Sequence, residues 1–96
     1  MEVIWNLSAI HDLQKIHSYI KDYSEHYAAK VVDDILDASQ SLANFPRQGR
    51  IVPGSPRPET REIAVYSYRI IYRVHEKTLR ILVLVHSRRD FDPKGL

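Results

Sequence analysis

Arg61 to Phe91 reads REIAVYSYRIIYRVHEKTLRILVLVHSRRDF. Three short runs rich in β-branched and aromatic residues lie within it, joined by two near-tight connections, and the periodicity is that of strands. REIAVY forms the first run, and Ser67 marks a tight turn. Tyr68–Val74 forms the second, with Tyr68, Ile70, Tyr72 and Val74 on one face and Arg69, Ile71 and Arg73 on the other. His75 to Thr78 reads as a hairpin loop of about four residues. Leu79–Val85 is apolar at almost every position, as expected of a central strand covered on both faces. Arg61, Arg69, Arg73, Arg80, Arg88 and Arg89 are threaded through these runs. A sheet carrying arginines at its ends and on its more exposed face suits a polyanion or an acidic protein partner.

Upstream of this block the period changes from strand to helix. Glu2 to Trp5 is a short apolar run that fits an edge or a central strand. Asn6 and Ser8 then offer helix N-caps. Ala9, Leu13, Ile16, Ile20 and Tyr23 recur at spacings of three and four and define one helical face. Ser24 can cap a second helix, whose apolar face is Ala28, Val31, Ile35, Ala38 and Leu42. Pro46 ends that helix and biases Phe45 away from the α region. The two helices form an αα-hairpin. Arg47 to Thr60 holds three of the five prolines and two of the three glycines. It reads as a loop too rich in breakers for a regular element, with Gly49 and Gly54 serving turns. Asp90 to Leu96 reads as a polar tail.

The expected fold is therefore α+β, in the order β-α-α-β-β-β. A helical hairpin packs on one face of a mostly antiparallel four-stranded sheet. Leu13, Ile16, Ile35 and Leu42 are expected to face Ile70, Tyr72, Ile81 and Val83. The opposite face would hold Arg69, Ile71, Arg73 and a Leu82–Leu84 stripe or its neighbour. Such a half-covered sheet implies a partner.

Ninety-six residues make one domain, 1–96, with one small core. The apolar fraction of 44% is that of a folded chain. No cysteine is present, which excludes disulfides and thiolate metal sites. Neither a signal peptide nor an apolar run near the roughly 18 residues of a membrane span is visible, so a cytoplasmic location is the default. His11 and His17 lack the i, i+4 relation of a helical metal pair, and no glycine-rich phosphate loop occurs. No metal and no cofactor are expected. Net charge is +2, but residues 1–45 carry three Lys/Arg against seven Asp/Glu, and residues 46–96 carry eleven against five. A basic strand half and an acidic helical half point to association through charge.

Four pieces of this chain, SAIHDLQKIHSYI, FPRQGRIVP, YRIIYRV and VHSRRDF, stand in the order and spacing of one family. The chain resembles the ParE/RelE superfamily of bacterial toxins over nearly its whole length. The resemblance implies a growth-inhibiting toxin of a type II toxin–antitoxin pair, of the kind linked to plasmid stabilisation. A co-expressed antitoxin would wrap its surface, with apolar anchors and acidic residues meeting the half-covered sheet. Two activities occur in the superfamily. RelE-like members are ribosome-dependent mRNA endoribonucleases, and ParE-like members inhibit DNA gyrase.

Metal-free RNA cleavage needs a base for the 2′-hydroxyl, cations for the phosphate and an acid for the leaving oxygen. Arg69 matches the nuclease arginine after the first hairpin turn, and Arg88 or Arg89 matches the one after the last strand. His86 can act as base or acid near neutral pH, so Arg69, His86 and Arg89 are the nuclease candidates. His86 reads first, however, as a strand-end histidine bonded to a carbonyl or paired with Asp90, a common arrangement. The lysines of the nuclease pattern are replaced by Glu62 and Ala64, and no tyrosine follows Arg89. Arg61 can stand where a lysine would, but a guanidinium is a poor base. VHSRRDF and the Asp12-Leu13 and Tyr19-Ile20 pairs look ParE-like. The resemblance thus favours a gyrase inhibitor that binds its target through Arg61, Arg69, Arg88 and Arg89, with the ribonuclease as the alternative. Tyr66, Tyr68 and Tyr72 can stack bases or serve as core and hairpin-edge residues.

Overall fold

Five strands, not four, build the sheet of the computed structural model, which describes residues 1–87 and 92–96. The chain runs β1 (Glu2–Trp5), α1 (Leu7–Lys21), α2 (Glu25–Ser41), β2 (Arg50–Ile51), β3 (Thr60–Val65), β4 (Tyr68–His75), β5 (Thr78–His86) and a 3-10 turn at Pro93–Gly95. Strand order is β1-β5-β4-β3-β2. β1 is an edge strand parallel to β5, and the other pairings are antiparallel. The strand absent from the sequence reading, β2, is two residues long and lies inside the proline-rich loop. It forms because Arg50 and Ile51 pair with Glu62 and Arg61 of β3; a tertiary edge supplies what local propensity lacks. No helix among the described residues is long and apolar enough to cross a membrane.

The helices begin differently from one another. Ser24 caps α2 by accepting from the Tyr27 amide at 3.1 Å. Asn6 stands at the N-cap of α1 but makes no capping bond; its Oδ1 accepts from Arg80 at 2.9 Å. The second hairpin is tighter than the sequence predicts, and the first is one residue longer than its Ser67 turn. His75 pairs with Thr78, leaving Glu76 and Lys77 as a two-residue turn, and Tyr66 and Ser67 join β3 to β4. Tyr66 at φ 56° and Glu76 at φ 53° adopt left-handed backbone angles without being glycine, at a cost of about 1 kcal/mol each.

The helical hairpin covers one sheet face. Ile16, Ile20, Val31, Ile35 and Leu42 are buried there against Ile70, Tyr72, Leu79, Ile81 and Leu84. Leu13 is only partly buried at its margin. Tyr23, expected on the buried stripe, is 77% exposed because α1 ends at Lys21. Val83 is not in this core, and Leu84 stands where it was expected. The cause is a β-bulge. Ile71 pairs with Val83 but its neighbour Tyr72 pairs with Ile81, so Leu82 is an extra residue. Before it, odd-numbered residues face the helices; after it, even-numbered ones do.

The opposite face is not left half-covered. Val52, Ile71, Leu82 and Val85 form a second, smaller core there, with Val83 and Leu96 packed on it. The tail after residue 91 therefore contributes an apolar side chain instead of extending into water.

Gly49 is held by proximity and not by a turn angle. A Cβ at this position would lie 2.6 Å from the Glu62 carbonyl oxygen and 2.6 Å from the Tyr72 hydroxyl. The Tyr72 hydroxyl accepts from the Gly49 amide at 2.9 Å and donates to the Pro46 carbonyl at 2.8 Å. A methyl group here displaces β-sheet backbone, so Gly49→Ala should destabilise by about 2–3 kcal/mol. A thermal melt unchanged from wild type would contradict that close packing.

Candidate functional site

The alternation of β3, β4 and β5 sorts the charged side chains onto one sheet face. Arg69, Ile71 and Arg73 share the side of β4 away from the helices; Arg73 pairs with Thr60 and Arg80, and Ile71 with Glu62, which places all three on the same side. Glu62 is the centre of the arrangement, with a side chain only 3% exposed. One of its oxygens takes Nε and Nη2 of Arg50, both at 2.6 Å, and the other takes Nη1 of Arg69 at 3.2 Å. A buried carboxylate is tolerable only when paired in this way. Arg73 donates Nε and Nη2 to the Thr60 hydroxyl at 3.3 and 3.2 Å, and lies 3.8 Å from Glu59. Burial and the neighbouring Arg57 push the Arg73 guanidinium below its usual range, with Glu59 opposing. It remains cationic at neutral pH. Arg80 sits directly across from Arg73, a like-charge juxtaposition that destabilises a sheet in the absence of an anion.

Arg61 points the other way. Its Nη1 donates to the Gly49 carbonyl at 2.8 Å, so it fastens the loop that Tyr72 also holds. Arg88 and Arg89 lie outside the described residues. Of the arginines singled out from sequence as target-binding, Arg69 alone is placed on this face. Arg50, Arg73 and Arg80 accompany it; the period-two pattern already paired Arg73 with Arg69, whereas Arg50 became visible only with β2.

His86 stands on the opposite side from Arg69, because the bulge at Leu82 turns the end of β5 over. Its ring meets Tyr68 edge-on, with centroids 5.4 Å apart. Here the helical hairpin and the sheet form a groove of about 490 Å³, with Ile16 and Leu84 in its floor and Lys15, Tyr19, Tyr68 and His86 around it. Tyr19 packs on Tyr23 at 5.6 Å, and Tyr27 meets Tyr66 edge-on at 6.1 Å. Five of the six tyrosines thus collect at this end, while Tyr72 is in the core. The Tyr66 hydroxyl donates to the Asp34 carboxylate, which holds Asp34 below and Tyr66 above their ordinary ranges. Burial pushes the Tyr68 phenol up. The tyrosine cluster has no sequence signature, because Tyr19, Tyr23 and Tyr27 come from two helix ends and Tyr66 from a distant turn. Among the described residues, no three His, Asp or Glu side chains gather as a metal site.

A helical hairpin laid on one face of a five-stranded sheet, with arginines on the other, is the architecture to compare with known proteins. The profile described as ParE toxin of type II toxin-antitoxin system, parDE, matches residues 3–91. The chain belongs to this family of type II toxin–antitoxin toxins. Toxin RelE2 of Caulobacter vibrioides is 30% identical over 92% of this chain and 97% of its own length. Putative toxin Y4kP of Sinorhizobium fredii is 34% identical over 91% and 88%. A solved chain of the chromosomal ParDE system from P. aeruginosa superimposes with a TM-score of 0.74, at 27% identity, over 90% of this chain and 95% of that one. The toxin–antitoxin complex RelBE2 from Mycobacterium tuberculosis shares the fold, with a TM-score of 0.60 at 24% identity over 88% of each chain.

Proposed function

We propose that this chain is a growth-inhibiting toxin that binds and inhibits DNA gyrase in the cytoplasm, and that a cognate antitoxin neutralises it. Target binding falls to the arginine face of Arg69, Arg73 and Arg80, together with Arg61, Arg88 and Arg89, which the sequence resemblance implies. The observation that carries this reading is the separation of Arg69 from His86 across the sheet. Phosphoryl transfer from an RNA 2′-hydroxyl by the pair Arg69 and His86 needs the proton acceptor beside that cation, and the histidine lines the groove of Lys15, Tyr19 and Tyr68 instead. Binding without chemistry has no such requirement. The antitoxin would meet the same basic face with acidic residues, since opposed arginines such as Arg73 and Arg80 gain from an intervening anion.

The test runs the purified chain in gyrase supercoiling and in translation on ribosomes with mRNA, side by side. Inhibition of supercoiling is expected, weakened about 2- to 5-fold by Arg73→Ala or Arg89→Ala and further by salt, as suits binding through charge. His86→Ala should leave it intact. Metal-independent mRNA cleavage on ribosomes, lost by about 10²-fold or more in His86→Ala, would replace this reading with the ribonuclease.

A further inference from the structure

Asp12 and Ser8 reach from α1 to the β-bulge. The Ser8 hydroxyl donates to the Leu82 carbonyl at 2.8 Å, and the Leu84 amide donates to Asp12 Oδ2 at 3.0 Å. We propose that Asp12, with Ser8, is a positioning residue that selects the phase of β5 and so assigns His86 to the tyrosine-lined groove instead of the arginine face.

Apolar burial cannot make this choice. Register is firmly set only where one strand face is apolar and the other polar. From Leu79 to Val85 every residue except Arg80 is apolar, so either phase buries aliphatic side chains on both sides. With the bulge, the helix face receives Leu84 and the outer face Leu82, Val83 and Val85. Without it, alternation would send Val83 and Val85 inward and Leu82, Leu84 and His86 outward. Within Leu79–Val85 the two phases exchange Leu84 for Val83 and Val85 on the helix face, apolar residues in either case.

Backbone polar groups make the distinction instead. β1 ends at Trp5, opposite Ile81, and the Asn6 amide takes the Ile81 carbonyl at 2.9 Å. Beyond that point β5 has no strand on this side. Regular alternation would turn the backbone groups of Val83 and Val85 toward α1. The bulge turns out those of Leu82 and Leu84, the two that Ser8 and Asp12 bind. The carboxylate–amide bond is charge-assisted and the stronger of the pair. Helix side chains thus finish the edge that β1 leaves short, and they fit one phase of β5. This holds whichever target the toxin has.

Nuclear magnetic resonance reads the phase directly through the Tyr68–His86 ring-to-ring NOE and the exchange rate of the Leu84 amide. In Asp12→Ala/Ser8→Ala the NOE should disappear and Leu84 exchange should accelerate about 10-fold or more. Asp12→Asn, which retains an acceptor oxygen, should keep the NOE. A chain lacking Leu82 restores unbroken alternation with Leu84 and His86 still inward, so there the same double substitution should leave the NOE in place. Retention of the NOE in the doubly substituted full-length chain would overturn the proposal. Should that variant fail to fold, folding with the NOE present once Leu82 is removed would support it. Failure to fold in both backgrounds would reduce Asp12 and Ser8 to general stability and overturn it.

Discussion

Ile35→Ala lowers the unfolding free energy by about 4 kcal/mol. Ile35 is fully buried in the middle of α2, among Val31, Leu42 and the helix-facing side of the sheet. Removing its outer carbons forfeits the transfer energy of those groups and leaves a void that a close-packed interior closes only in part. A domain of this size has about 5–15 kcal/mol in total, so the variant stands near its unfolding threshold at 37 °C. Leu13→Ala is the built-in comparison. Leu13 is partly buried, and its truncation should cost about 1–2 kcal/mol. Urea denaturation of the three proteins measures both. Equal losses for Ile35 and Leu13 would mean that the core is centred nearer α1 than the burial indicates.

Glu62→Ala is expected to be nearly as damaging, at about 3 kcal/mol, by a different route. Arg50 is 71% exposed on its side chain and returns to water when the carboxylate goes. Arg69, at 22%, remains largely inside without that counter-charge. Removing one member of a buried ion pair is costly because the other stays behind. The paired change Glu62→Met/Arg69→Met removes both charges and should recover much of the loss. A double variant less stable than Glu62→Ala would show that the arginine matters through contacts unrelated to Glu62.

The helices and the three main strands are legible from periodicity because each has one uniform pattern over several turns or residues. The failures have physical causes. β2 is two residues long and owes its existence to β3, so no local signal marks it. The bulge is invisible because Leu79–Val85 is apolar on both sides, and period-two reading then carries Val83 inward. The candidacy of His86 beside Arg69 rests on acid–base chemistry, and no local signal tells that the bulge sets it on the other side of the sheet from Arg69. Arg61 shows a further limit: a strand-end arginine reads as a binding residue, and only the folded loop reveals Gly49 as its acceptor. The second core was missed because its lids, Val52 and Leu96, lie in segments read as loop and tail.

The parallel pairing of β1 with β5 joins opposite ends of the sequence, Glu2 beside Thr78 and Trp5 beside Ile81. Contacts of such long range form late, since closing a loop of this length is entropically costly before any pairing offsets it. During synthesis the two helices can form from local contacts, but β5, which lies between β1 and β4, does not exist until His86 has been added. The surface opposite the helices draws on β3, β4 and β5, so it is complete only once β5 has been added and has paired with β4.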